Sequence, residues 1–582
     1  MTRKQAKRNA QRGRATPSRN DWIFAVILVA LTVIVYFPAW NGKPIWDDDA
    51  HITRADLRSI SGLTALWLKP GIVRQYYPVA HTVFWIEHQI WGDTWFFYHF
   101  TNIILHVFSA LLLWRILLRL KIPAAWLAAA LFAVHPIQVE SVAWISELKN
   151  TLSGVFFFSS VLFYLRFDES KRRQFYWPAL VLFVFGLMSK SVIAMMPPAL
   201  LAVFWWKRGA ITWKRDVLPL LPFFVIGAAS GLFTAWVERN FIGAQGEVFH
   251  LGLIERLLVA GRVFWFYPFK LVWPGKLIFI YPRWEINSAT WWQYLFPIGA
   301  FLVVLVAWIT RHRTRAPFAG LMFFMIMLFP ASGFLNVYPF KFSFVADHFQ
   351  YLAGVGLLVL IAAGLNQLGK RYWPNGYRAF LAVPILLLAV LTWQQAEAYS
   401  DPLRLYGVVL RDNPACWMAH NNLGADLLQQ GQTGQAIEHF EKTLEIQPEN
   451  AEAHTNLGNA FSMQGRFAEA VLEYEKTLEL MPDAVPPRNN LAWLLASCPD
   501  RALRNGPKAI QLAQGLIKAT AEKDPVSFRT LAAAYAETGQ FENAINAARQ
   551  SLKLALAEGN QAWANAVQQE IALYQQHRKP GG

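Results

Sequence analysis

Only two cysteines, Cys416 and Cys498, stand in a chain of 582 residues. They are too few for a disulfide framework and lack the spacing of a metal site. Charge is scarce as well, at 16% of residues against about 25% in ordinary soluble domains. Hydrophobic residues reach 55% and aromatics 15%, with 26 Trp and 43 Phe. This balance excludes a purely soluble protein and places much of the chain in lipid. Acid is scarcest in the first 400 residues, which hold 18 acidic and 38 basic residues, against 20 and 16 in the remainder. The basic excess therefore belongs to the apolar part, where it orients spans and meets anionic lipid. No basic stripe with interleaved aromatics occurs beyond residue 400, which excludes nucleic acid as a partner.

What is present begins with a basic segment, residues 1–21, carrying seven Lys or Arg up to Arg19. It leads into Trp22 to Trp40, 19 residues without a charge and longer than the roughly 7–15 residues of a signal-peptide core, so a retained anchor is expected. Further apolar runs lie near 96–118, 124–139, 151–167, 175–189, 191–206, 217–237, 292–310, 317–335, 350–368 and 379–396. Basic clusters sit at alternate junctions, and the positive-inside rule makes those junctions cytoplasmic. Eleven crossings from a cytoplasmic N-terminus place the loop 41–94 and the C-terminal part outside. The segment 257–273 is apolar but holds Arg262 and Lys270; as a crossing it would invert the later clusters, so it reads as re-entrant or interfacial.

Past Glu397 a 34-residue self-similarity takes over. Leu423, Gly424, Gly431, Ala436, Phe440 and Pro448 recur as Leu457, Gly458, Gly465, Ala470, Tyr474 and Pro482. This is the tetratricopeptide pattern: small residues let two antiparallel helices approach, large ones fill the gap, and Pro ends the second helix. A third unit begins at Leu491 with an insertion at 501–506, and a fourth runs through Leu531, Tyr535, Gly539 and Ala544. The expected fold class is all-α: a polytopic membrane helical domain over 22–397, a connector at 398–416, and a repeat α-solenoid of about four units over 417–579 that binds protein or peptide.

Four clusters of ionisable residues fall on the outer side of this topology. The loop 41–94 opens with Trp46, Asp47, Asp48, Asp49 and His51. His135 and Glu140 belong to HPIQVESVAWISELKN at 135–150, which ends with Lys149 and Asn150. Ser189 and Lys190 lie between two spans, and Ala346, Asp347 and His348 precede the 350–368 run. Each alone also suits a helix cap or a snorkelling side chain. Together they supply a carboxylate to take a proton and a cation for a leaving phosphate, the two groups that transfer from a lipid-linked donor requires.

With these residues, Trp273-Pro274, Tyr281-Pro282 and the repeat entry Ala419 to Gly424 in view, the chain resembles the transmembrane and tetratricopeptide-repeat O-mannosyltransferases of the GT-C glycosyltransferase class. The resemblance implies a GT-C-like membrane domain, a polyprenyl- or dolichyl-phosphate sugar as donor, and transfer to Ser or Thr hydroxyls of proteins. It assigns the catalytic acid pair to Asp47 and Asp48; the residues themselves make Lys190, His348, Asp347, His135, Glu140, Lys149 and the extra acid Asp49 the candidates for donor-phosphate or substrate contacts. Leu148 and His348 stand where relatives commonly carry Arg. The three acids serve equally with a divalent cation or without one.

The function expected is a membrane glycosyltransferase whose repeats bind the acceptor, in a bacterial inner membrane with periplasmic repeats or an endoplasmic-reticulum membrane with luminal ones. The competing class is an inactive membrane scaffold that recruits envelope or secretory partners. A transporter fits less well, because the sequence shows no inverted internal repeat.

Overall fold

A computed structural model describes residues 19–579 apart from 53, 74, 247 and 248. The basic segment through residue 18 lies outside the described residues. The chain divides into two compact units, Met1–Asn413 and Pro414–Gly582. Every described element is helical or irregular, in keeping with the all-α expectation.

In the first unit each of the eleven apolar runs forms helix over most of its length. Five helices are long and apolar enough to cross a bilayer: Trp95–Arg119, Ile145–Ser170, Trp213–Ile242, Trp291–His312 and Tyr377–Ala398. A sixth arises if Ala125–Val134 and Pro136–Ala143, bent by 56°, form one span. By this measure the eleven expected crossings are not reached among the described residues. Prolines and short 3₁₀ turns cut the remaining runs, as where Ser191–Met195 precedes Met196–Arg208. The outermost helix, Leu295–Ile309, turns Leu295, Ile298, Phe301, Leu302, Val306 and Ile309 outward, a continuous apolar face that lipid accommodates and water does not.

The inner helix Ala125–Val134 is buried at every residue but Trp126. It ends at His135, whose Nδ1 accepts from the Ile137 amide at 3.2 Å while its Nε2–H donates to the Leu271 carbonyl at 3.0 Å. Both ring nitrogens of His135 are thereby spent on the bend itself.

The segment expected to be re-entrant or interfacial forms one unbroken helix, Leu253–Val272. Its first turn meets the chain beyond the Ala316–Ala331 helix, where Arg256 donates to the Gly333 and Phe334 carbonyls and to Asn336 Oδ1. Its middle abuts the start of Leu295–Ile309: Gly261 packs on Pro297, where a Cβ would come within 2.5 Å, and Trp265 Nε1–H donates to the Phe296 carbonyl. Its last turns reach Ala346 through Tyr267 and His135 through the Leu271 carbonyl. The helix thus runs along the loop-bearing ends of its neighbours, with Leu253, Ile254, Leu257, Phe269 and Val272 exposed.

The connector stretch forms a further helix of the first unit, Pro402–Asp412. Asp401 caps it by accepting from Leu403 N and pairs with Lys43 at 2.8 Å; Leu405, Tyr406 and Val409 are buried.

The second unit consists of four helix pairs beginning at Trp417, Ala451, Val485 and Pro525, followed by a last helix, Gln561–Gln575. The repeat logic is visible at Gly424 and Gly458, where a Cβ would lie 2.7 Å from the rings of Phe440 and Tyr474. The insertion at 501–506 makes the 3₁₀ turn Arg501–Leu503, capped by Asp500. The helix Gln561–Gln575 packs on the fourth pair through Val567 and Tyr574.

Candidate active site

Trp46 sets the geometry of the first loop. Its φ of +47° lies in the left-handed region, which costs a bulky residue about 1–3 kcal/mol and persists only where the surroundings enforce it. Here the indole stacks on Trp144 at 5.6 Å and 13°, with Phe279 and Phe342 edge-on at 5.4 Å. Immediately beyond it the two acids part company.

Asp48 is 1% exposed. Its Oδ2 accepts from Ile45 N at 2.8 Å, and its Oδ1 accepts from Ser146 N at 2.8 Å and Ser146 Oγ at 2.5 Å. It ties the loop to the turn at 145–147 and does not line the cavity described below. Burial and the charge of Asp47 outweigh those three hydrogen bonds and push its carboxyl up to about 7. Asp47 lines the cavity. Its Oδ2 lies 3.3 Å from His51 Nε2, and its buried Oδ1 has no partner among the described residues. Burial alone would raise its carboxyl, but the hydrogen bond and charge of His51, with Lys149, together hold it below the usual carboxylate range. The Asp49 backbone belongs to the short helix Asp48–Ile52, and its side chain lies outside the described residues.

Residues from distant segments complete the wall. Glu147 pairs with Lys149 at 2.9 Å and with Lys190 at 3.2 Å, and accepts from Asn150 at 2.5 Å. His348 Nδ1 lies 2.8 Å from Glu140 Oε1, and its amide donates to Glu140 Oε2. Asn150 donates to the His348 carbonyl at 3.1 Å, joining the two groups. Burial, against the opposing pull of Glu147, brings the Lys190 ammonium down to about 8. Asp347 lies behind this wall: it is 1% exposed and accepts from the Tyr281 hydroxyl at 2.9 Å, and burial and the charge of Glu140 raise its carboxyl.

The cavity encloses about 650 Å³. Asp47, Glu140, Lys149, Lys190 and His348 lie on its polar side. Val192, Met195, Pro198, Phe224, Gly231 and Leu335 belong to its apolar lining. Among the described residues no three His, Cys, Asp or Glu side chains converge as a metal site.

Of the nine residues singled out from the sequence, five line this cavity. Asp48, Asp347 and His135 stand behind it as supports. Sequence reasoning gave three others no role. Glu147, which binds both lysines, sits inside the quoted 135–150 segment with nothing to mark it above its neighbours. His51 follows Asp47 at i+4, a spacing that places both on one helical face. His81, 3.1 Å from His51, carries no sequence signal. Leu148, the departure from the resemblance, is 1% exposed and packs with Tyr77, Ile145 and Leu152, away from the cavity.

A family model described as dolichyl-phosphate-mannose-protein mannosyltransferase matches residues 71–233, and a tetratricopeptide-repeat model matches 414–483. The protein O-mannosyl-transferase F38B6.6 of Caenorhabditis elegans is 23% identical over 464 residues, covering 75% of this chain and 64% of that protein. Tmtc3 of Drosophila melanogaster is 24% identical, covering 75% and 56%, and human TMTC4 is 22% identical, covering 71% and 65%. The chain thus spans less than two thirds of the length of these relatives. Among solved structures, the crystal structure of MamA aligns with 27% of this chain and 88% of its own at 20% identity, with a TM-score of 0.24, too low for an argument about shared overall fold.

Proposed function

We propose that this O-mannosyltransferase-like membrane protein with tetratricopeptide repeats is a glycosyltransferase that moves a sugar, mannose by its relatives' names, from a polyprenyl- or dolichyl-phosphate donor to Ser or Thr hydroxyls of proteins. The observation that carries the reading is that Asp47, whose Oδ1 has no hydrogen-bond partner among the described residues, lines a cavity whose wall also holds Lys190. A base with a free lone pair and a cation across a shared space are what an inverting displacement needs.

In this reading the donor's isoprenoid chain lies along the apolar lining, and its phosphate meets Lys190, with Lys149 and His348 beside it. The acceptor hydroxyl gives its proton to the Asp47 carboxylate while its oxygen forms a bond to the anomeric carbon. The carbon–phosphate-oxygen bond breaks, its electron pair leaves on the phosphate, and the ammonium of Lys190 stabilises that charge. Asp48 and Glu147 hold the loop and the lysines in register. The repeats bind the acceptor protein, and the site opens to the periplasmic or luminal side.

The test is transfer by purified full-length protein in nanodiscs supplied with polyprenyl-phosphate mannose and an unfolded acceptor protein, read by glycopeptide mass spectrometry. Mannosylated Ser or Thr is expected with the wild type, and a loss of about 10²–10⁴-fold with Asp47→Asn. A wild type that transfers no more than Asp47→Asn overturns the reading in favour of a scaffold.

A further inference from the structure

His51 and His81 form a hydrogen-bonded chain behind Asp47 whose protons can be placed from its fixed end. His81 Nδ1 lies 2.9 Å from the Tyr77 carbonyl. A carbonyl only accepts, so Nδ1 carries the hydrogen. His81 is 4% exposed; burial and the neighbouring His51 push its imidazole down to about 3. The ring is therefore neutral, and its Nε2 is a lone pair that accepts from His51 Nδ1–H at 3.1 Å. That leaves His51 Nε2 facing Asp47 Oδ2 at 3.3 Å. Were Nε2 a lone pair as well, two acceptors would oppose each other in a part-buried setting, with no other donor between them among the described residues, at a cost of about 1–3 kcal/mol. A proton must lie between them.

We propose that this proton resides on His51, making an imidazolium that donates from Nε2 to Asp47 Oδ2 and from Nδ1 to His81, and that His51 is thereby a positioning residue for the base. Its Nε2–H engages one carboxylate oxygen, Oδ2, and so fixes the orientation of a carboxylate that lines the cavity, while Oδ1 keeps a lone pair without a partner among the described residues. His81, locked by the Tyr77 carbonyl, dictates which way the chain points. The arrangement follows the logic of a triad, in which a third group fixes the tautomer of the second, with the carboxylate here at the reacting end. The inference rests on the reading of Asp47 as the base only for its catalytic consequence. The charged and titratable groups around the chain are Asp47 and Asp48 on its own loop, Tyr77 on the helix that carries His81, and Glu147 and Lys149 from the turn opposite.

Two measurements test it. The first needs no turnover: ¹⁵N-histidine-labelled full-length protein in nanodiscs, with the His51 signals assigned by their loss in His51→Gln. Both ring nitrogens of His51 are expected protonated at pH 7.5 in the wild type, with reversion to a neutral ring in Asp47→Asn. A neutral His51 in the wild type overturns the proposal whether or not the protein transfers sugar. The second is the pH profile of mannose transfer. His51→Gln is expected to move the acid limb up by about one pH unit, a tenfold change in proton affinity, and to lower kcat with donor KM unchanged. An unmoved limb, or a loss confined to KM, assigns His51 a merely structural part and overturns its role as positioner. If the wild type transfers nothing while His51 is an imidazolium, the enzyme reading falls and the proton assignment stands.

Discussion

Lys190 and Glu147, 43 positions apart in the chain, meet at 3.2 Å on the cavity wall, where the same carboxylate holds Lys149 at 2.9 Å. One acid between two ammonium groups fixes both lysines, holding the Lys190 ammonium on the wall of the cavity. A lone lysine at such depth would lose its proton or swing to water.

The first prediction separates affinity from stability at this cluster. Lys190→Ala is expected to raise donor KM about ten- to a hundredfold, equivalent to ~1.4–2.7 kcal/mol, with little change in Tm. Glu147→Gln leaves two lysines in a buried setting without their carboxylate and is expected to lower stability by about 3–5 kcal/mol. Thermal melts in detergent alongside transfer kinetics check both; equal Tm losses for the two variants would contradict the assignment.

Asp47 and Asp48 are expected to behave as different residues despite being adjacent. Asp47→Asn should abolish transfer while the protein melts normally. In Asp48→Asn the new amide nitrogen must face a donor, from Ile45 or from Ser146, leaving a buried N–H unpaired at a cost of about 1–3 kcal/mol. That variant should melt lower and retain partial activity. Measuring Tm and kcat for the two single variants decides it.

The pH dependence of donor binding follows from Lys190. Its ammonium is brought down to about 8 by burial, so the charge is present below that pH and is lost as pH rises through it. Donor affinity is expected to fall above pH 8, and Lys190→Arg, which keeps its charge, should extend the plateau upward. Asp47, held below the usual range, stays ionised across the neutral region and sets no limit there. Titrating a fluorescent lipid-phosphate analogue from pH 6 to 10 is the check.

In the repeats, Gly458→Val would drive a side chain into the Tyr474 ring, 2.7 Å from the position of a Cβ. Such overpacking costs about 1–3 kcal/mol or more. Limited proteolysis of the full-length variant should show earlier cleavage between residues 450 and 482, with lipid-phosphate binding by the membrane unit unchanged.

How much of this was legible in advance differs by level. Helical runs were, because a 19-residue stretch without a charge has few places to go but a membrane, and because repeats at a 34-residue period declare their own partners, as Gly424 with Phe440 and Gly458 with Tyr474. The number of crossings was less so. Hydropathy sees composition but not where a helix breaks, and the 3₁₀ turn after Lys190 and the bend at His135 shorten the segments on either side. The helix Leu253–Val272 was recognisable as unusual from Arg262 and Lys270, yet its course along the ends of its neighbours follows from Gly261 packing on Pro297.

Residue types and their common side were readable from the sequence alone: scarce acids at 47–49, cations at 149 and 190, and an alternation of basic clusters that put all of them at one end of the helices. The division of labour among them was not. Whether Asp47 or Asp48 faces the cavity turns on the left-handed backbone at Trp46, enforced by Trp144, Phe279 and Phe342 from other segments. Whether a lysine is charged, or a histidine carries one proton or two, depends on which carboxylate, carbonyl or ring nitrogen stands within about 3 Å of it, and only the folded chain brings Glu147, His51 and His81 to that distance.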